Sequence, residues 1–209
     1  MLFRSDDDTM PTETALEFLL KKDSELNGKY GFLTSKVLWK DGSPCVMNIQ
    51  KKTKWKRLKK FDEDQKVQYA SFVSFFVKAT TVKKIGLPYK EFFIWADDWE
   101  YARRISKIED CYYVSQSIVF HFCKTNIGAN IVTAEADRID RFNYMYRNDV
   151  VLYRQDGIEG FLYLFIRNMV HRFRILRDGR NVREKLTLIK NATNEGRHFY
   201  PEIEFPQGA

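Results

Sequence analysis

The sequence predicts an α/β body followed by an all-helical C-terminal extension. Three observations carry that prediction. Apolar stretches of strand length alternate with helical ones up to about residue 130. Beyond that point the apolar residues recur only at helical spacing. Two acidic clusters, Asp6-Asp7-Asp8 and Asp97-Asp98 with Glu100, mark strand-to-helix junctions within the body. The body is therefore set at 1–130 and the extension at 131–209.

Residues 1–3 read as the end of a short buried strand that delivers the aspartate triplet at its C-terminal edge. Pro11 and Thr12 open a helix, with Thr12 as N-cap, Glu13 in the first turn, and Ala15, Leu16, Leu19 and Leu20 as the apolar stripe. Residues 30–39 predict a strand closed by an Asp41-Gly42 turn, and 46–49 a partner strand. The basic run Lys51-Lys52-Thr53-Lys54-Trp55-Lys56-Arg57-Leu58-Lys59-Lys60 suits a solvated loop; its functional alternative is contact with phosphate groups of a donor, a lipid-linked acceptor or a membrane surface. A strongly apolar strand region over 67–77 precedes a short helix over 80–85 that Gly86 ends. Phe92-Phe93-Ile94-Trp95 leads into a helix through Tyr101, Ile105 and Ile108. Residues 111–122 give one or two strands ending at His121, and helices follow over 134–149, 158–176 and 182–195.

The formal net charge of +7 permits anionic partners: nucleic acid, anionic lipid or phosphorylated substrates. A nucleic-acid reader interleaves basic residues with exposed aromatics on one face. Here the acidic clusters occupy the most structured region, so nucleic acid is set aside. Cys45, Cys111 and Cys123 have neither an even count nor metal-ligand spacing, and they read as small buried apolar residues in a reducing compartment. No apolar run reaches the roughly 20 residues of a membrane span. These features predict a cytoplasmic protein, peripheral at the inner face of the cell membrane.

Three consecutive aspartates are costly at a strand end without a counter-charge. A divalent cation answers that cost, because hard cations take oxygen ligands and admit substrate phosphates to their shell. In an extended segment Asp6 and Asp8 point the same way and Asp7 the other. An acidic loop leading a helix accounts for the same residues without a metal. Capping explains one carboxylate of the second cluster but not three, and adjacent carboxylates repel, which lifts one toward the range of a general base. His121, at the end of an apolar strand, becomes a third metal ligand only in company with the Asp6 and Asp8 pair.

Asp6-Asp7-Asp8-Thr9-Met10-Pro11, then Gly86-Leu87-Pro88 through Phe92-Phe93-Ile94-Trp95-Ala96-Asp97-Asp98-Trp99-Glu100-Tyr101, then Ile118-Val119-Phe120-His121 resemble, in this order, the family 2 glycosyltransferases of the GT-A type. The likeness is to galactofuranosyltransferases and their rhamnosyltransferase-like relatives, and Tyr146-Arg147-Asn148 is similar to an element of their C-terminal helices. The resemblance implies a partial GT-A mixed sheet flanked by helices, with residues 1–130 as the metal and acceptor part of that domain. It implies inverting transfer of a sugar, UDP-galactofuranose being the donor considered, to a glycan or lipid-linked glycan of the cell surface. By the same resemblance Asp6, Asp8 and His121 hold Mn²⁺ or Mg²⁺, and Asp98 is the general base with Asp97 beside it. Asp7, Asp97, Glu100, Trp95 and Trp99 are then substrate-facing; for the tryptophans, core packing is an equal alternative. Only five residues precede Asp6, so the sequence is expected to lack the N-terminal nucleotide-binding half of such enzymes.

In the extension, Ile158, Leu162, Phe165, Met169, Phe173 and Leu176 line one helical face, opposite a basic face containing Arg167, His171, Arg172, Arg174 and Arg177. Such a helix suits an anionic membrane interface. Packing on the α/β body, or on another subunit of a homo-oligomer, is the alternative. The rival to an enzyme is a non-catalytic membrane- or protein-interaction module derived from one.

Overall fold

The computed structural model describes residues 1–206, so the last three positions of the 131–209 extension lie outside the described residues. The fold is mixed α/β and divides into two compact units. The first comprises Met1–Leu87, Tyr101–Gly128 and the described residues from Glu204; the second comprises Pro88–Glu100 and Ala129–Ile203.

A mixed sheet forms the first unit. Its strands are β1 (Leu2–Arg4), β2 (Thr9–Pro11), β3 (Phe32–Trp39), β6 (Gln65–Lys66), β7 (Phe75–Val77) and β8 (Tyr112–His121), while β4 (Lys51–Thr53) and β5 (Lys56–Arg57) make a separate ribbon. The order is β1-β7-β3-β8-β2, with β6 also on β8. β3 and β8 run parallel and every other pair is antiparallel. Alternation along β3 explains the two-sided burial. Leu33 and Val37 join Ala15 and Leu19 of helix α1 (Ala15–Glu25), together with Val114 and Val119. Phe32 faces the other way, with Phe75, Tyr113 and the Tyr101, Ala102 and Ile105 side chains of helix α3 (Asp97–Ser106). Each such apolar side chain contributes roughly 1.5–3 kcal/mol through burial. Helix α2 (Ala79–Ile85) ends at Gly86, whose φ of 85° suits only glycine without strain.

The ladder between β3 and β8 jumps in register: Ser35 faces Val114, but Lys36 faces Ile118. The extra β8 residues bulge out, and buried hydroxyls satisfy the polar groups that this leaves. The Ser74 hydroxyl donates to Ser35 Oγ at 2.6 Å, Ser35 and Ser117 share a 2.7 Å bond, and Ser117 reaches the Ala15 carbonyl at 2.8 Å.

The structure departs from the expected elements at four places in this unit. Residues 9–11 form β2 rather than leading a helix, because the Thr12 N–H and hydroxyl both donate to the Ile118 carbonyl, at 3.1 and 3.0 Å; α1 starts at Ala15. Residues 46–48 make a 3-10 turn, not a strand. Within 67–77 only Phe75–Val77 is strand, preceded by another 3-10 turn. The basic run is not a solvated loop throughout, since Lys51 and Lys54 are buried.

The second unit contains helices α4 (Ala136–Ile139), α5 (Arg141–Arg154), α6 (Gly157–Asp178) and α7 (Val182–His198). Ile139, Phe142, Tyr146, Ile175 and Ile189 share its core. α7 ends on Arg154, whose guanidinium donates to the Gly196, Arg197 and Phe199 carbonyls and so satisfies the last orphan acceptors of the helix. No helix among the described residues is long and apolar enough to cross a membrane.

α7 approaches α5 at Gly196, where a Cβ would lie 2.5 Å from the Arg147 carbonyl oxygen and 2.8 Å from the Val150 side chain. Gly196→Ala is expected to destabilise the protein by about 2 kcal/mol in urea unfolding, although alanine is the better helix former. Asn194→Ala, at an exposed position of the same helix, should leave stability unchanged or raise it. Between α5 and α6 the Tyr146 hydroxyl meets His171 Nδ1 at 2.7 Å, and burial, reinforced by Arg167 and Arg174, pushes His171 down to about 4. The unfolded histidine takes up its proton near 6.5, so stability is complete above that pH and is lost as pH falls toward 4. Between about pH 7 and about pH 4.5 the native protein should lose about 2–3 kcal/mol more than His171→Gln does in urea titrations.

Candidate metal centre

Strand pairing assembles the site. β2 lies antiparallel to β8 with Thr9 opposite His121, and the Phe122 N–H donates to the Asp8 carbonyl at 2.8 Å. The triplet itself occupies the turn before β2, closed by the Thr9 N–H on the Asp6 carbonyl at 3.1 Å. His121 Nε2 thereby comes to 3.1 Å from Asp8 Oδ1. Donor atoms of Asp6, Asp8 and His121 all fall within 4.8 Å of one another. An octahedral ion with bonds near 2.1 Å separates neighbouring ligands by about 3 Å and opposite ones by about 4 Å; the His121–Asp8 separation matches the first, and two carboxylates with an imidazole are the donors such an ion takes. Asp7 is exposed and stands outside the group.

The histidine side of the site is closed and the carboxylate side is open. His121 is buried, whereas Asp6 and Asp8 are exposed. Asn48 fixes the imidazole from behind: its Oδ1 lies 2.8 Å from His121 Nδ1 and also accepts from the Cys45 thiol at 3.0 Å, while its Nδ2 donates to Ser71 Oγ at 2.9 Å. With Nδ1 donating to Asn48, a neutral His121 turns its unshared pair at Nε2 toward Asp8. Carboxylate and imidazole lone pairs repel at that distance, so the pair calls for a proton or a cation between them. Partial burial raises the Asp6 carboxyl above its usual range, opposed by His121 and Arg4 and reinforced by Asp8 and Asp7. A cation would remove that cost for both carboxylates together.

The fold also gathers Cys45, His121 and Cys123, which their sequence spacing does not announce. This set fits a metal less well. Burial, with Cys123 beside it, pushes the Cys45 thiol up to about 12, so a metal there would first have to displace its proton. His121 Nδ1, the nitrogen facing Cys45, is already engaged by Asn48.

The second acidic cluster belongs to the second unit. Phe93, Trp95 and Ala96 have φ of 56°, 79° and 63°, left-handed values that cost L-residues about 1–3 kcal/mol each. Asn148, wholly buried on α5, holds this turn: its Nδ2 donates to the Phe92, Ile94 and Trp95 carbonyls at 3.1, 3.3 and 2.8 Å. Arg147 orients that amide by donating from Nε to Asn148 Oδ1 at 2.9 Å, and it also reaches the Glu91 carbonyl at 2.7 Å. The strained turn places Ala96 as the first acceptor of α3, with Asp97, Asp98 and Glu100 in the first turn, where the helix dipole favours them. Asp97, Asp98 and Trp99 are half-buried. Glu100 is buried, which turns its carboxylate toward the interior rather than toward a solvent-borne acceptor. Trp95 stacks obliquely on Phe142, 5.0 Å between ring centres, and joins the core of this unit.

Sequence reasoning missed Asn48 and Cys45, which hold His121 from 73 and 76 positions away, and nothing in their local sequence signals that pairing. Tyr146-Arg147-Asn148 was legible as a motif, but its task of holding a strained turn was not.

Loss of the Asn148 amide should be costly in a graded way. Asn148→Ala is expected to lower stability by about 2 kcal/mol, and Asn148→Asp by more, because it sets a buried anion against three carbonyl oxygens. Equal midpoints for the two variants in urea unfolding would show that the amide donor does not hold the turn.

Compared with protein-family models and with curated protein sequences, the chain has no match in either.

Proposed function

We propose that this chain carries the metal-binding and acceptor-side chemistry of an inverting, metal-dependent glycosyltransferase that moves a sugar from a nucleotide diphosphate donor, UDP-galactofuranose being the donor considered, to a cell-surface glycan. The observation that carries the reading is the convergence of Asp6, Asp8 and His121 Nε2 on one point, with the imidazole held from behind by Asn48. Asp6 and Asp8 supply hard oxygen ligands and leave the solvent side open to a diphosphate. A Mn²⁺ or Mg²⁺ ion bound there supplies Lewis-acid stabilisation of the charge that develops on the leaving diphosphate. Asn48 keeps the His121 proton on Nδ1, so Nε2 remains a donor of its electron pair. In the same reading Asp98 takes the proton of the acceptor hydroxyl and Asp97 orients it. The protein works in the cytoplasm, at the inner face of the membrane, where lipid-linked acceptors are presented.

The alternative is a non-catalytic interaction module derived from such an enzyme, and the exposed apolar face of α6 favours it. Isothermal calorimetry with Mn²⁺, in the presence and absence of UDP, separates the two. The transferase reading expects Mn²⁺ binding that UDP strengthens and that Asp8→Ala weakens at least about tenfold, the loss typical of a disrupted metal shell. Absence of both metal and UDP binding would sink it. Asp98→Asn should retain Mn²⁺ binding while losing transfer.

A further inference from the structure

Helix α6 is built with its polarity reversed. The side it turns inward carries Arg167, Asn168 and His171 beside Leu164 and Ile175. Those polar groups are engaged inside the unit: Arg167 pairs with the buried Asp149, His171 with the Tyr146 hydroxyl, and Asn168 Nδ2 donates to Thr193 Oγ1 at 3.3 Å, while Asn168 Oδ1 is buried without a partner. The side it turns to solvent is apolar. Ile158 is 88% exposed, Phe165 64%, Phe173 63% and Leu176 63%, with Leu162 and Met169 between them. At 1.5 Å per residue this stripe runs roughly 27 Å, uninterrupted by any charge on its own line. A soluble monomer rarely leaves so long an apolar surface bare.

We infer that this face of α6 lies in the plane of an anionic lipid bilayer, with its apolar side chains at the acyl boundary. Charge selects the bilayer among the occupants an apolar face could take. Arg172 borders one edge of the stripe and Arg177 the other, and Arg174, Arg180 and Arg183 follow toward and beyond the C-terminal end. Between residues 168 and 190, leaving out the buried Lys185, there are six Arg and Lys against only Asp178 and Glu184. Two copies packed in parallel along this stripe would set arginine against arginine. Packed antiparallel, they would lay the basic end over the Ile158 and Leu162 end, where Glu159 is the one acid on the helix turn. A sheet of anionic headgroups complements both edges at once, while the long arginine stems reach past the buried stripe to the phosphates. The inference names the surface behind the peripheral placement proposed above, and it uses none of the metal chemistry, so each can fail alone.

Sedimentation of the full chain with vesicles tests it, using phosphatidylcholine alone and phosphatidylcholine mixed with phosphatidylglycerol. The expected result is binding to the mixed vesicles that weakens with salt. Replacing Arg172 and Arg177 by Gln should weaken it about fivefold for each arginine. Phe165→Gln with Phe173→Gln should abolish it, with circular dichroism and urea midpoint unchanged because both sites are exposed. Equal binding to both vesicle types overturns the anionic requirement. No vesicle binding overturns the inference, as does a lipid-free dimer by analytical ultracentrifugation that the two Phe substitutions dissolve.

Discussion

The parallel pairing of β3 with β8 is the constraint on which the first unit depends. Both strands carry apolar residues on both faces, as strands covered on two sides must. Side chains alternate with a period of two, so a slip of one residue would turn every one of them to the opposite face. The jump between Ser35 and Lys36 makes that register harder to lose, because the chain of Ser74, Ser35 and Ser117 hydroxyls ties the bulge to α1 and to the Ser35 N–H. Asp64 adds to this by accepting from both the N–H and the hydroxyl of Ser115 at 2.8 Å, and the Lys22 ammonium keeps the Asp64 carboxyl below its usual range. The far end of β8 is thereby fixed against β2. The meeting of His121 with Asp8 is a consequence of sheet register rather than of local sequence.

The second unit follows a different rule, in which polar side chains serve as interior anchors. Asn148, Arg147, the Arg167–Asp149 pair, and Lys185 with its ammonium on the Val132 carbonyl at 3.0 Å all satisfy backbone or charge within a small helical core. Burying such groups costs several kcal/mol unless every one finds its partner. What a satisfied network provides is a single arrangement, since few alternatives meet all the bonds at once. That arrangement sustains three left-handed L-residues ahead of Asp97. It also fixes which side of α6 is turned inward, and leaves the apolar side exposed among the described residues.

The sequence spoke clearly where periodicity extended over many residues. Strands β3 and β8, helix α2 with its Gly86 stop, and the last two C-terminal helices follow from spacing alone, whereas the helix expected over 134–149 is broken at Asp140 into α4 and an α5 that runs on to Arg154. It failed at short segments decided by tertiary pairing. Thr12 looks like an N-cap but bonds Ile118, and residues 46–48 look like a strand but turn to bring Asn48 under His121. The basic run hides two buried lysines, Lys51, whose ammonium lies over the Tyr69 ring, and Lys54. Of the site, the types and order of the acidic residues could be read, because carboxylates at strand ends carry a recognisable cost. The residues that orient them could not, since an asparagine gives no sign of which distant imidazole or carbonyl it will meet.

The His121–Asp8 pair admits two occupants, and Asp6 distinguishes them. A proton on Nε2 makes an imidazolium that satisfies one oxygen of Asp8 and leaves the second carboxylate beside it uncompensated, apart from Arg4 at a distance. Burial lifts the Asp6 carboxyl and Asp8 and Asp7 add to that, while His121 and Arg4 oppose it. A dication, were one bound, would answer both carboxylates and the imidazole lone pair together. Behind His121 the Cys45 thiol donates to Asn48, and burial with Cys123 beside it pushes that thiol up to about 12. Their part is to fill the closed side with small apolar sulfur and leave Nδ1 to Asn48. The imidazole is held at one nitrogen by Asn48, which leaves the other facing Asp8.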